Sequence, residues 1–259
     1  MLRESNATLS RWRCLCSYDG TNYLGWQKQP KGQSVQGCIE QALQKTFTKK
    51  TKTIGAGRTD AGVHALGQVF HFDAEWRHGS DKLLKALRVR LPEDIQPLEL
   101  VEVPSSFHAL CSAKGKHYVY RAVEGHALPM EMRYVHSLKN QSLDIVSMRA
   151  GADHLVGRHD FSSFAASRGR GEEESPVKEL WRLDLVRSGR HIKIKALGGG
   201  FLYKMVRSIA GALFDVGTGK LNPDDIRDLL ERRKRTRIVK TAPARGLCLE
   251  KVYYRRPKV

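Results

Sequence analysis

The residues best able to do chemistry crowd into positions 54–73, which read I-G-A-G-R-T-D-A-G-V-H-A-L-G-Q-V-F-H-F-D. Four glycines (Gly55, Gly57, Gly62 and Gly67) bracket Arg58, Asp60 and His64. Glycines at this density let a backbone take positive φ and approach another group closely. A carboxylate two residues from a guanidinium, in a loop leading into an alternating run at 68–73, makes a compact polar centre. Such a centre suits a catalytic acid. It equally suits a turn or helix cap, since Asp accepts hydrogen bonds from nearby backbone N–H groups. Spacing alone leaves both readings open.

A second clue lies at 201–216. Phe201, Leu202, Met205, Val206, Ile209, Ala210, Ala212, Leu213 and Phe214 leave almost no polar face, so the pattern predicts a buried helix. Arg207 falls in the middle of it. A buried guanidinium without a partner costs several kcal/mol, so the pattern calls for a carboxylate beside it, or for a side chain that snorkels to the surface, which the wide apolar coverage makes less easy. Asp60 is the candidate carboxylate.

The elements that must position these groups alternate between sheet and helix. Residues 11–18 set Trp12, Cys14, Cys16 and Tyr18 on one face of a strand. Residues 23–30 join aromatics to Gln27, Lys28 and Gln29, which suits either stacking on bases or packing onto a core. Ser34 caps a helix carrying Val35, Ile39, Ala42, Leu43 and Phe47 at helical spacing. A second helix is predicted at 80–89, then a strand at 95–103 that Pro97 breaks or places at an edge. A strand at 117–123 sets Tyr118 and Tyr120 on one face.

The second half repeats this element order without repeating the residues. Its pattern predicts a helix at 142–156, a polar turn at 159–164, and a disordered-looking stretch at 166–176. A hairpin follows at 178–197 around Ser188-Gly189, then the 201–216 helix, a short helix at 223–232 and a strand at 247–254. The fold class read from this order is α/β with an antiparallel sheet.

Composition narrows the partner. The chain has 259 residues, of which 41% are hydrophobic, enough to bury a substantial core. Lys and Arg number 45 against 27 Asp and Glu, a net charge of +18. That excess points to a polyanion, with nucleic acid ahead of an anionic membrane surface. No apolar run reaches the ~18 residues of a membrane span, and residues 1–10 lack a secretory pattern. Five cysteines without a C-x-x-C pair argue against a disulfide framework or a zinc site. A soluble cytoplasmic protein in a reducing compartment is expected.

With these residues collected, the chain resembles the tRNA pseudouridine synthases of the TruA type nearly end to end. The resemblance rests on Tyr18-Asp19-Gly20-Thr21 with Gly25-Trp26-Gln27-x-Gln29, and on Gly57-Arg58-Thr59-Asp60-Ala61-Gly62-Val63-His64-Ala65. It continues in Lys116-x-Tyr118-x-Tyr120, Gly157-x-His159-Asp160-Phe161 and Phe201-Leu202-Tyr203-x-Met205-Val206-Arg207. It closes on Thr241-Ala242-Pro243-Ala244-x-Gly246-Leu247. Leu110 stands where the family usually has arginine, and Lys240 where it usually has glycine.

The resemblance implies an isomerase that turns uridine into pseudouridine in the tRNA anticodon stem-loop, at positions 38 to 40, with no cofactor and no metal. It implies Asp60 as nucleophile, Tyr118 packed on the target base, Arg207 paired with the Asp60 carboxylate, and Arg58 holding the flipped nucleotide. Leu247 would line the pocket, with Gln27, His64 and Phe161 as further substrate-binding positions. The implied fold is α+β: two ferredoxin-like halves, 1–108 and 109–259, forming a continuous antiparallel sheet with helices on one face and a central basic cleft. A homodimer acting on tRNA, away from membranes, is implied with it. Two readings compete: an RNA-binding or chaperone protein without chemistry, and an Asp-dependent phosphotransferase. The second lacks both a GK[ST] loop and clustered carboxylates for magnesium.

Overall fold

The structure is a computed structural model that describes residues 9–167 and 174–258. The chain divides into two compact units, one running to Ala113 and the other beginning at Lys114. Each is mixed α/β with antiparallel pairing between its main strands.

In the first unit, β1 (Leu9–Tyr18) buries Trp12, Cys14, Cys16 and Tyr18, the face that alternation predicts. Its cysteines are free, and burial pushes both thiols up. Helix α1 (Val35–Phe47) begins where Ser34 Oγ accepts the Gly37 N–H, and it buries Val35, Ile39, Ala42 and Leu43. The short β2 (Ile54–Gly55) pairs with β3 (His64–Glu75). Helix α2 (Ser80–Arg90) turns Leu83 and Leu87 inward and leads to β4 (Ile95–Val103). Strand order is β4-β1-β3, with β2 beside β3, the order of a split βαββαβ unit. Pro97 lies on the edge strand β4, beside a register shift against β1, where a missing N–H costs least.

Strand β3 departs from simple alternation, because both of its faces are covered. Phe70 and Phe72 face Trp26 and Phe47. On the opposite face, His71 Nδ1 accepts the Ala109 N–H at 3.1 Å, and its ring packs on Phe107 and His108. Arg11 fastens this cover: it pairs with Asp73 and donates to the carbonyls of Ser105 and Phe107.

The second unit repeats the plan with additions. β5 (Gly115–Val123) is followed by the two-residue β6 (His136–Ser137), α3 (Ile145–Asp153) and β7 (Gly157–Asp160). β8 (Val177–Ser188) and β9 (His191–Gly198) form the predicted hairpin. Helices α4 (Met205–Gly217) and α5 (Pro223–Glu231) precede β10 (Leu247–Tyr253). The order β10-β5-β9-β8 matches that of the first unit, with β7 added beside β8.

Three expectations change here. Asp144 accepts the N–H groups of Val146 and Ser147, so α3 starts after it and not at Ser142. His159 and Asp160, read as a turn, belong to β7, paired with Lys178 and Val177. The apolar run at 201–216 is helical only from Met205: Lys204 takes left-handed φ of 60°, and Phe201, half-buried, and Leu202, buried, lie ahead of the turn at 203–204. Arg207 therefore sits in the first helical turn and is half-buried. Of the stretch at 166–176, residues 168–173 lie outside the described residues. No helix among the described residues is long and apolar enough to cross a membrane.

Candidate active site

The Asp60 loop joins β2 to β3, so both of its ends are anchored in one antiparallel pair, extended by the Ala56 N–H bonding to Val69 O. Backbone contacts fix the interior. Trp26 N–H donates to Thr59 O at 3.1 Å, Gly62 N–H to Tyr23 O at 3.2 Å, and Val63 N–H to Asp60 O at 3.1 Å. The Thr59 hydroxyl bonds the buried Tyr18 hydroxyl at 2.8 Å, and Gln68 Nε2 donates to Gly57 O at 2.9 Å. Asp60 is half-buried between these clamps.

Glycine freedom enters this loop from outside it. Gly25 has φ of 88°, and a Cβ there would stand 2.4 Å from Thr59 O and 2.9 Å from Asp60 C. Only glycine lets the segment carrying Trp26 lie this close. Among the four loop glycines, Gly62 alone takes positive φ. Trp26 is then enclosed by Tyr18 and Phe70, at centroid distances of 6.1 and 5.9 Å.

The other positions of this unit fall into two groups. Arg58 and Gln27 are exposed, with Gln27 next to the clamped Trp26. His64 is buried, and its Nδ1 lies 3.1 Å from both Gly20 N and Asp19 Oδ1. It fastens the 19–20 turn to the start of β3, a role in shaping the loop.

In the second unit, Tyr118 is buried in β5, and its ring meets Phe201 edge-on at 5.2 Å and 80°. Leu247, at the start of β10, is buried and pairs with Tyr120; Leu249 is the partner of Tyr118. Phe161 is fully buried against His159 and Phe164, within the core of its unit. Arg207 Nε donates to Ala242 O at 2.8 Å, and Ala242 N–H returns a bond to Arg207 O at 3.0 Å.

Sequence reasoning missed what holds Ala242 in place. The Arg235 guanidinium spans four neutral acceptors: the carbonyls of Phe164 and Val239 and the hydroxyls of Ser208 and Thr241. Burial lowers its pKa from the usual arginine value. In the sequence Arg235 was one cation in a basic run, with nothing to mark it as internal. Lys116, in the same K-x-Y motif as Tyr118, is likewise pushed down by burial. Among the described residues no group of three His, Cys, Asp or Glu could hold a metal ion.

Residues 15–110 and 152–255 match the family described as tRNA pseudouridine synthase. A tRNA pseudouridine synthase A of Exiguobacterium sibiricum is 40% identical over 248 residues, covering 95% of this chain and 97% of its own. That of Acetivibrio thermocellus is 41% identical over 242 residues, covering 93% and 98%. That of Listeria monocytogenes is 41% identical over 249 residues, covering 95% and 100%. Among solved structures, a chain of a Cbf5-Nop10-Gar1 complex aligns with 79% of this chain and 45% of its own, at 12% identity and a TM-score of 0.36.

Proposed function

The chain belongs to the tRNA pseudouridine synthase family, and we propose that it isomerises uridine to pseudouridine at positions 38 to 40 of the tRNA anticodon stem-loop, with Asp60 as nucleophile. The reaction conserves atoms and electrons. The bond from the sugar C1′ to N1 breaks, the uracil turns, and C1′ bonds to C5. The hydrogen on C5 leaves to solvent while N1 takes up a proton. With no net oxidation and no group gained, the proposal needs no cofactor.

Asp60 adds to the base or assists departure at the sugar, and either route needs a fixed carboxylate. The observation that carries the reading is the main-chain clamp on both sides of Asp60, from Trp26, Tyr23 and Val63. The target base must leave its stack, at a cost of a few kcal/mol. Tyr118 replaces that stacking surface, worth about 1–3 kcal/mol per base. Arg207 pairs with the Asp60 carboxylate and aims it, Arg58 holds the flipped nucleotide, and Leu247 lines the pocket. Gln27 and His64 support the substrate side, and Phe161 backs it from the core. The protein works as a cytoplasmic homodimer, which sedimentation and cell fractionation test.

The decisive experiment measures release of label from C5 of uridine in transcribed tRNA. Asp60→Ala is expected to abolish release while tRNA binding survives. Full activity in that variant would end the proposal. Mapping pseudouridines in bulk tRNA from cells with and without the protein tests the assignment to positions 38 to 40.

A further inference from the structure

Positive charge is unevenly shared. The unit from Lys114 onward holds 30 Lys and Arg against 16 Asp and Glu, whereas the first unit holds 15 against 11. The densest cluster is the loop that follows α5. Arg232, Arg233, Lys234 and Arg237 are exposed there, and no carboxylate pairs with any of them among the described residues. Nearby acids are engaged elsewhere: Arg227 takes Asp224 and Asp228, and Lys240 takes Asp215.

This loop is mounted, not loose. Ser163, fully buried, accepts the Lys234 N–H at 3.0 Å and donates to Lys234 O at 3.2 Å. Arg235 points inward to its four acceptors, so its neighbours point out. Arg233 also has φ of 47°, two residues past the end of α5 and one past its C-cap Arg232. Glycine ordinarily fills that left-handed position, because a side chain there is strained. An arginine in a left-handed conformation that favours glycine is strained, and such strain points to a role for its side chain.

We propose that Arg232, Arg233, Lys234 and Arg237 form a pre-set cradle for RNA backbone phosphates. The inference rests on the tRNA reading above and adds the element that grips the backbone. A loop whose backbone is already anchored loses little main-chain freedom on binding. Each phosphate neutralised releases counterions, giving a salt slope of about −0.9 per contact on duplex and −0.7 on single strands.

The test is the binding of the full-length protein to transcribed tRNA between about 50 and 200 mM salt. The variant R232Q/R233Q/K234Q/R237Q is expected to flatten the slope by about 3 and to raise KM for tRNA at least tenfold. R233G relieves the backbone, so it is expected to melt no lower than wild type while flattening the slope by about 1. The charge-matched K45Q/K50Q/K82Q/K85Q, with Lys45, Lys82 and Lys85 on the helices of the first unit and Lys50 just beyond α1, is expected to keep the wild-type slope. Wild-type slopes in both loop variants, or an equal loss in the control, would overturn the cradle. If that happened while wild type still made pseudouridine, the catalytic reading would stand. Flattened slopes with no pseudouridine formed by wild type would sink that reading alone.

Discussion

Arg207 and Ala242 hold each other through two hydrogen bonds of opposite sense, Nε to the Ala242 carbonyl at 2.8 Å and the Ala242 N–H to the Arg207 carbonyl at 3.0 Å. The first bond engages the inner nitrogen of a planar guanidinium, so it sets the orientation of the whole plane. Tyr120 extends the brace by donating to Pro243 O at 2.9 Å, and burial pushes its phenol up. Helix α4 and the 241–243 segment therefore aim Arg207 jointly.

Gly211, one turn along α4 from Arg207, lets that segment come close: a Cβ there would stand 2.2 Å from Lys240 O. The obstructing atoms, in Lys240 and Ala242, are all backbone, so Gly211→Ala must push the segment away. Overpacking of this kind costs about 1–3 kcal/mol. A displacement near 1 Å in aim costs on the order of a hundredfold in rate. The expected result is a folded protein whose kcat falls by about that factor, with KM for tRNA little changed. Unaltered kcat would show that the segment does not aim Arg207.

Arg235→Lys tests the same brace from its far side. An ammonium cannot span two carbonyls and two hydroxyls at once, and each buried polar group left unbonded costs about 1–3 kcal/mol. The variant is expected to melt lower and to lose kcat. Arg235→Met, which also removes the buried charge, should recover part of the stability and none of the kcat. Recovery of both would make Arg235 a stability residue only.

The fold was legible where pattern and local chemistry agree. Ser34 announced α1, alternation from Trp12 to Tyr18 announced β1, and Pro97 announced a break or an edge, of which the edge is found. Misreadings came where tertiary contacts override periodicity. Phe201 and Leu202 continue the helical spacing of α4, yet they lie outside the helix, because Lys204 in a left-handed conformation resets the chain before Met205. Of the residues proposed for catalysis, Asp60, Tyr118 and Arg207 could be picked out by type and motif. The carbonyl-mediated hold on Arg207 could not, since backbone acceptors leave no trace in residue identity. Arg235 had the same invisibility: its partners are neutral, so no charge pattern pointed to it.

Gly25→Ala probes the clamp on Asp60. Its φ of 88° is unfavourable for any side chain, and the new Cβ would press on Thr59 O and Asp60 C. The strain of a left-handed residue costs about 1–2 kcal/mol before the clash is counted. Melting temperature and label release are both expected to drop. A variant that keeps wild-type turnover would show that the approach of Trp26 to Thr59 is dispensable for catalysis.

Buried His71 gives the fold a defined acid sensitivity. Its pKa is lowered to about 4, first by burial, then by Arg11 and His108, against a smaller opposing pull from Asp73. Neutral Nδ1 is also the acceptor for the Ala109 N–H. An unfolded chain binds a proton here near pH 6.5, whereas the folded one declines it until about pH 4. The unfolded state thus holds more protons across that window. Stability from this residue is complete above pH 6.5 and falls as pH drops towards 4, by roughly 3 kcal/mol in all. Urea unfolding of wild type and His71→Asn at pH 7, 5.5 and 4.5 isolates the effect. The difference between them should narrow on acidification, since the variant has no ring to protonate. A constant difference across the three pH values would show that His71 takes up no extra proton on unfolding.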